Sequence, residues 1–314
     1  MPAECPAMAR VFVTRALPFE ALDRLRAAHD VDEWPGDMPP SPDELRAGVA
    51  PAEGLLSLIT DRVDTAVLDA APRLRAIANM AVGTDNIDVE AAAARGIPVG
   101  NTPDVLTDAT ADIAFALLLA LARRIVPGAA AVRAGEWKTW EPAGDLGADL
   151  ADATLGIVGW GRIGQAVARR AEGFGMEIVH SSRSSGVPLD ELLAAADFVS
   201  LHTPLTPETR GLIEAAALER MKPTALLINT ARGGVVDQDA LRTALLDGTI
   251  AGAALDVTEP EPLPPDHPLL DAPNLLVVPH VGSATVRTRA KMAAMAVDNL
   301  LAALEGRPMP HPVT

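Results

Sequence analysis

The chain has 314 residues, 49% apolar and 22% charged, a length that suggests roughly two domains and a composition that excludes a disordered chain. Its formal charge of −16 weighs against nucleic acid or an anionic membrane as a partner. A single cysteine, Cys5, gives neither an internal disulfide nor a metal cluster and fits a reducing cytoplasm, and neither a run of about 18 apolar residues nor a basic-then-apolar leader is found.

The first third alternates short apolar runs with helical patterns. Residues 11–14 read as a strand, and 18–29 as an amphipathic helix with Leu22 and Leu25 inward. Strands follow at 55–59, 76–80 and 97–100, with a short helix at 64–70 between the first two. This rhythm predicts βαβ units and a mostly parallel sheet. The turn at 101–104 marks a candidate boundary. Residues 113–122 are wholly apolar but too short to cross a bilayer, so a buried or interface helix is expected. Residues 127–152, rich in Gly and Pro and holding Trp137 and Trp140, read as a loop-rich contact surface or as aromatic plugs over a domain edge.

From Thr154 a second series starts, with six strands expected at 155–158, 178–180, 198–202, 225–230, 252–256 and 275–279. Helical patterns at 189–195, 215–220 and 238–247 separate them, and a long Ala/Leu-rich helix at 285–306 follows. Six strands in this order fit a doubly wound dinucleotide fold. Its first strand runs into Gly159-Trp-Gly161-Arg162-Ile163-Gly164 and then a helix at 165–173. Glycine at the first position permits the tight turn, at the second lets the backbone approach a pyrophosphate, and at the third lets helix and strand pack. The helix N-terminus then offers free N–H groups to the phosphates. An NAD enzyme places a carboxylate about 20 residues on, for the ribose hydroxyls. Here the second strand ends in His180-Ser-Ser182-Arg183-Ser184, and hydroxyls with a guanidinium suit a 2′-phosphate. NADP(H) is therefore the preferred cofactor, with NAD(H) tolerated.

Arg232, Asp256 and His280 stand at the carboxyl ends of successive expected strands, where a doubly wound sheet meets its ligand, and Glu261 follows Asp256 in a proline-stiffened loop. Reduction of a 2-oxo acid needs a cation for the carboxylate, a hydride donor and an acid for the carbonyl oxygen. Arginine supplies the first bidentately. Histidine supplies the proton near neutral pH, and a nearby carboxylate stabilises its imidazolium. No metal is expected, because His180, His202, His267 and His280 do not fall at ligand spacings. A serine-hydrolase elbow is also missing.

From about Met80 onward the chain resembles the D-isomer-specific 2-hydroxyacid dehydrogenases, most closely their glyoxylate/hydroxypyruvate reductase branch. The resemblance rests on Val82-Gly83-Thr-Asp-Asn86, the glycine turn, His202-Thr-Pro204-Leu-Thr206, residues 229–237, Ala254-Leu-Asp256-Val257 and Pro279-His280-Val-Gly282-Ser283. It implies His280 as proton donor paired with Glu261, and Arg232 as the carboxylate-binding, carbonyl-polarising cation. It also implies Val82, Gly83, Trp140 and Ser283 around the substrate, and Thr110, Pro204, Thr230, Asp256 and Gly282 around the cofactor. The fold it implies is two doubly wound parallel-sheet domains with a hinged cleft between. One is a discontinuous flavodoxin-like substrate domain of residues 1–100 and 286–314, the other a Rossmann cofactor domain of residues 101–285. A homodimer built around residues 104–152 is implied as well. Formate dehydrogenases in this family carry Gln where Glu261 stands, which excludes formate. The expected partner is a small 2-oxo or 2-hydroxy acid. An NAD-linked D-lactate or D-3-phosphoglycerate-type dehydrogenase, or a non-enzymatic dinucleotide sensor of the corepressor type, are the competing readings.

Overall fold

A computed structural model describes residues 8–18 and 20–313; Cys5 lies outside them, as does Phe19 within the expected first helix. The chain divides into two compact units, one running through Leu106 and resuming at Ala284, the other spanning Thr107–Ser283.

The first unit contains β1 (Arg10–Val13), α1 (Asp23–Ala28), β2 (Asp30–Glu33), α2 (Pro42–Val49), β3 (Gly54–Ser57), α3 (Thr65–Ala70), β4 (Ala76–Asn79), α4 (Val89–Ala94) and β5 (Val99–Gly100), and is completed by α11 (Val286–Leu304). Its five strands are all parallel in the order β2-β1-β3-β4-β5, the flavodoxin-like doubly wound order. Side chains alternate between the two faces. Val11, Val13, Leu56 and Ala78 meet α1 and α11, while Phe12, Leu55 and Ile77 meet α2, α3 and α4, so β1, β3 and β4 are apolar on both sides, as a parallel sheet under helices requires. Three elements go beyond the sequence reading: β2, α2 and α4. The first helix starts only at Asp23, although Leu22 and Leu25 are buried as expected.

The second unit contains α5 (Thr107–Ala122), α6 (Ile125–Arg133), β6 (Thr154–Val158), α7 (Arg162–Glu172), β7 (Glu177–Ser181), α8 (Leu189–Ala195), β8 (Phe198–Leu201), α9 (Ala215–Arg220), β9 (Leu226–Asn229), α10 (Gln238–Leu246), β10 (Gly252–Leu255) and β11 (Leu275–Val277). Its strands are parallel in the order β11-β10-β9-β8-β6-β7. Chain order reverses between β6 and β8, and that switch point is where a doubly wound sheet opens its crevice. The expected loop at 127–152 is a helix over its first residues: α6 runs to Arg133 and buries none of its side chains. The apolar helix α5 is buried along its length and packs on β9, β10 and α7.

Register fixes the functional edge. Ser181 lies opposite Val158, Val158 opposite Leu201, Leu201 opposite Asn229, Asn229 opposite Leu255 and Leu255 opposite Val277. The next residues along each strand (Ser182, Gly159, His202, Thr230, Asp256 and Val278) therefore form one row at the carboxyl edge. At about 4.8 Å per strand the row is about 24 Å long, room for an extended ligand with different chemistry at its two ends.

Candidate active site

The glycine turn stands at the switch point. Gly159 has φ +98°, and a Cβ there would lie 2.5 Å from the carbonyl oxygen of His202, at the end of β8. A Cβ on Gly164 would lie 2.2 Å from the Gly159 carbonyl oxygen, so only glycine lets α7 close on the turn. Gly161, the N-cap of α7, meets nothing within 4 Å, so the space before Arg162 and Ile163 is open. Open space at a helix N-terminus suits a pyrophosphate. Further along the row the Oγ1 of Thr230 is buried without a hydrogen-bond partner, a donor available to a bound group. These residues fit a dinucleotide.

The β7 end of the row is cationic. The Ser182 Oγ is tied to Ser185, at 3.0 Å from its carbonyl and 2.9 Å from its hydroxyl, while Arg183 and Ser184 are exposed. The Glu208 carboxyl is held below its usual range chiefly by the Thr206 hydroxyl, with a smaller contribution from Arg183. Beneath this turn Trp160 stacks on His180, with ring centroids 4.1 Å apart. At β8, His202 pairs through Nε2 with the Ser200 hydroxyl at 2.8 Å, and burial pushes its imidazole down to about 4, so it is neutral near pH 7. Pro204 is exposed and its carbonyl accepts from Thr209.

The other end carries the titratable set. His280 follows β11 with φ +51°, a left-handed conformation uncommon outside glycine and associated with functional sites. Asp256, at the end of β10, accounts for it. Its carboxylate accepts from the Val281 N–H at 2.6 Å and the Gly282 N–H at 2.8 Å, while its carbonyl accepts from the His280 N–H at 3.0 Å. Burial raises the Asp256 carboxyl above its usual range, against the opposing effect of those N–H groups and of His280. A Cβ on Gly282 would lie 2.9 Å from Asp256 Oδ2 and 3.5 Å from the Thr110 side chain, so three expected cofactor residues converge here.

His280 Nδ1 donates to Glu261 Oε2 at 2.9 Å, and Glu261 Oε1 accepts from the Thr258 N–H at 3.0 Å. With 31% and 36% of their side chains exposed, ring and carboxylate are reachable by a small molecule, and with Nδ1 engaged Nε2 is the atom that faces one. Arg232 sits in a turn drawn tight by Asn229, whose Nδ2 donates to the Arg232 carbonyl at 2.9 Å and whose Oδ1 accepts from the Ala231 N–H at 3.0 Å. The guanidinium is half-buried and donates to the Ala231 carbonyl at 2.8 Å. Gly233, next in the chain, leaves no room for a side chain: its Cβ would lie 2.1 Å from the Thr258 carbonyl. The Arg232 turn and the Glu261 loop are thus packed backbone on backbone. Asn229, Gly233 and Thr258 go beyond the sequence reading, although the Gly233-Gly234 doublet beside an arginine was a signal for a close approach.

Val82 and Gly83 belong to the first unit. Asn101 Nδ2 donates to the Val82 carbonyl at 2.7 Å, and Asn79 Nδ2 to the Gly83 carbonyl and to Asn86 Oδ1, both at 3.0 Å. Ser283 is buried at the end of the second unit. Trp140 is 78% exposed, so the chain itself does not carry it into the His280 set.

The chain is similar to proteins of a known family. A family model described as the NAD binding domain of D-isomer specific 2-hydroxyacid dehydrogenases matches residues 115–282. A glyoxylate reductase of Korarchaeum cryptofilum is 51% identical over 314 residues, covering 96% of this chain and 95% of its own. A human glyoxylate reductase/hydroxypyruvate reductase is 46% identical, with 96% of each chain covered. Among solved structures, a Thermus thermophilus protein superposes with a TM-score of 0.93 at 54% identity, over 97% of this chain and 100% of that one. An NADPH-dependent glyoxylate/hydroxypyruvate reductase of Sinorhizobium meliloti, bound to NADP and malonate, superposes at 0.84 with 35% identity, over 98% and 97%.

Proposed function

The chain belongs to the D-isomer specific 2-hydroxyacid dehydrogenase family, and from that premise we propose that it reduces small 2-oxo acids, glyoxylate to glycolate and hydroxypyruvate to D-glycerate, with NADPH preferred over NADH. The observation that carries this reading is the His280–Glu261 pair at 2.9 Å, on the same sheet edge as Arg232 and the glycine turn. A reduced nicotinamide bound along that edge supplies the hydride for C2. Arg232 holds the substrate carboxylate and polarises the carbonyl. His280 Nε2 donates its proton to the carbonyl oxygen. The Glu261 carboxylate stabilises the imidazolium and fixes the ring through Nδ1. Ser283 adds to the substrate wall.

The second unit is read as the cofactor domain, with Thr110, Gly159, Gly161, Arg162, Ile163, Gly164, Pro204, Thr230, Asp256 and Gly282 as its cofactor contacts. The first unit is read as the substrate domain. Ser182, Arg183 and Ser184 support the NADPH preference: the residues that end β7 are a guanidinium and hydroxyls rather than the carboxylate that would accept from ribose hydroxyls. A homodimer is supported by the apolar exposure of Ile125, Val126, Val132, Trp137, Trp140 and Leu146, which lie in one segment of the chain. The single cysteine suits a cytoplasmic setting. Among the described residues no single helix is long and apolar enough to cross a membrane.

The test is loss of absorbance at 340 nm with glyoxylate or hydroxypyruvate and each reduced cofactor in parallel. The reading expects fast turnover with NADPH and slower turnover with NADH. A preference for NADH overturns the cofactor assignment, and no turnover with either overturns the substrate assignment.

A further inference from the structure

Gln238 is the first residue of α10, a helix held at its start by the N-cap Asp237, whose carboxylate accepts from the Asp239 and Ala240 N–H groups at 3.0 Å. From this fixed base its carboxamide meets the main chain of Glu259 at both ends. Nε2 donates to the Glu259 carbonyl, and Oε1 accepts from the Glu259 N–H at 3.0 Å. Glu259 is two residues from Glu261, and the loop between them is cinched by the Thr258 hydroxyl, which donates to the Pro260 carbonyl at 2.8 Å.

Gly233 already fixes the Thr258 end of the loop, and Gln238 adds a hold at Glu259. On one side the loop borders a polar cavity of about 340 Å³, lined by Arg210, Asp237, Gln238, Asp239, Glu259 and His267, so apolar packing does not set its position there. The Arg210–Glu259 ion pair at 2.8 Å joins two exposed side chains, and pairs of that kind hold little. A carboxamide bonded to both the N–H and the carbonyl of one residue fixes distance and orientation together.

We infer that Gln238 is a positioning residue for proton transfer: its two hydrogen bonds to the Glu259 main chain set the loop that holds Glu261 against His280. This rests on the reductase reading above, in which Glu261 acts through His280. Glu261 and Asp256 are charged groups next to His280, and Gln238 brings no charge of its own, so its effect runs through where Glu261 stands.

The test follows the His280 imidazole by NMR in the intact chain, assigned with a His280→Gln variant, alongside glyoxylate kinetics. With Gln238→Met, a neutral side chain of similar length, the His280 Nδ1–H resonance is expected to move toward its position in Glu261→Gln as the bond to Glu261 loosens. kcat is expected to fall about five- to ten-fold, with the KM for cofactor unchanged. In a Glu261→Gln background the same substitution is expected to add nothing, because the two act as one unit. Gln238→Asn, shorter by a methylene, repeats the comparison with a polar amide in place. An unmoved resonance in both variants, or an equal loss of rate with and without Glu261, overturns the inference. Because the NMR readout needs no substrate, a wild-type protein that turns over no 2-oxo acid overturns the reductase reading separately.

Discussion

Gly233→Ala tests whether the backbone contact between the Arg232 turn and the Glu261 loop matters to chemistry. A Cβ at Gly233 would stand 2.1 Å from the carbonyl carbon and oxygen of Thr258 and 2.6 Å from the Glu259 nitrogen. All of these are main-chain atoms, so no flexible side chain can swing aside. Regaining ordinary contact at 3.4 Å requires the two segments to part by about 1.3 Å. Overpacking a buried site of this kind costs about 1–3 kcal/mol of stability. A misplacement near 1 Å between groups that must act together costs about 10²-fold in rate. Because Gly233 adjoins Arg232, and Thr258 holds the Glu261 carboxylate through its N–H, the displacement moves carboxylate binding and proton donation relative to each other. The expected outcome is a kcat about 10²-fold lower, with NADPH still bound, since the glycine turn at β6 is remote from β10. Steady-state kinetics, a fluorescence titration of NADPH and a thermal melt measure the three quantities. A folded Gly233→Ala protein with wild-type kcat would refute the coupling of turn and loop.

Arg183→Ala should raise the KM for NADPH about ten-fold while leaving NADH kinetics near wild type. Arg183 is exposed, so the charge-assisted contact it offers a phosphate is screened, and the gap should narrow in high salt; an equal effect on both cofactors refutes the 2′-phosphate assignment. His202 gives a pH signature. Its folded value of about 4 lies below the ordinary 6.5, so the unfolded chain binds more protons between those values. Stability should be full above about pH 6.5 and fall as pH drops toward 4, by roughly 2–3 kcal/mol from this group. Urea melts at pH 7.0, 5.5 and 4.5 check it, and His202→Gln should flatten that part of the slope; an unchanged slope in the variant contradicts the assignment.

The second unit was legible in the sequence because its inner strands, β6, β8, β9 and β10, are buried on both faces. Runs such as Leu155 to Val158 and Leu226 to Ile228 stand out as apolar blocks between turn residues, and their chain order placed Arg232, Asp256 and His280 at strand ends. The first unit was less legible at its edge. β2 reads Asp-Val-Asp-Glu and only half buries its last three residues, so it owes its pairing with β1 to tertiary context, which overrides strand propensity. α2 did carry a local signal: Ser41 followed by Glu44 forms a capping box, a pattern that marks a helix start from sequence alone. The site shows the same division. Chemical groups are visible as residue types, whereas the supports that aim them (Asn229, Gly233, Gln238 and Thr258) act through main-chain contacts that composition and spacing do not encode.

The most direct test of the central claim is the 340 nm rate with glyoxylate and NADPH for the wild type beside His280→Ala and Arg232→Ala. The account predicts rapid wild-type turnover, a loss of about 10²-fold or more without the His280 proton donor, and a loss of about 10²- to 10³-fold without the Arg232 cation. Wild-type turnover undiminished in either variant would contradict it.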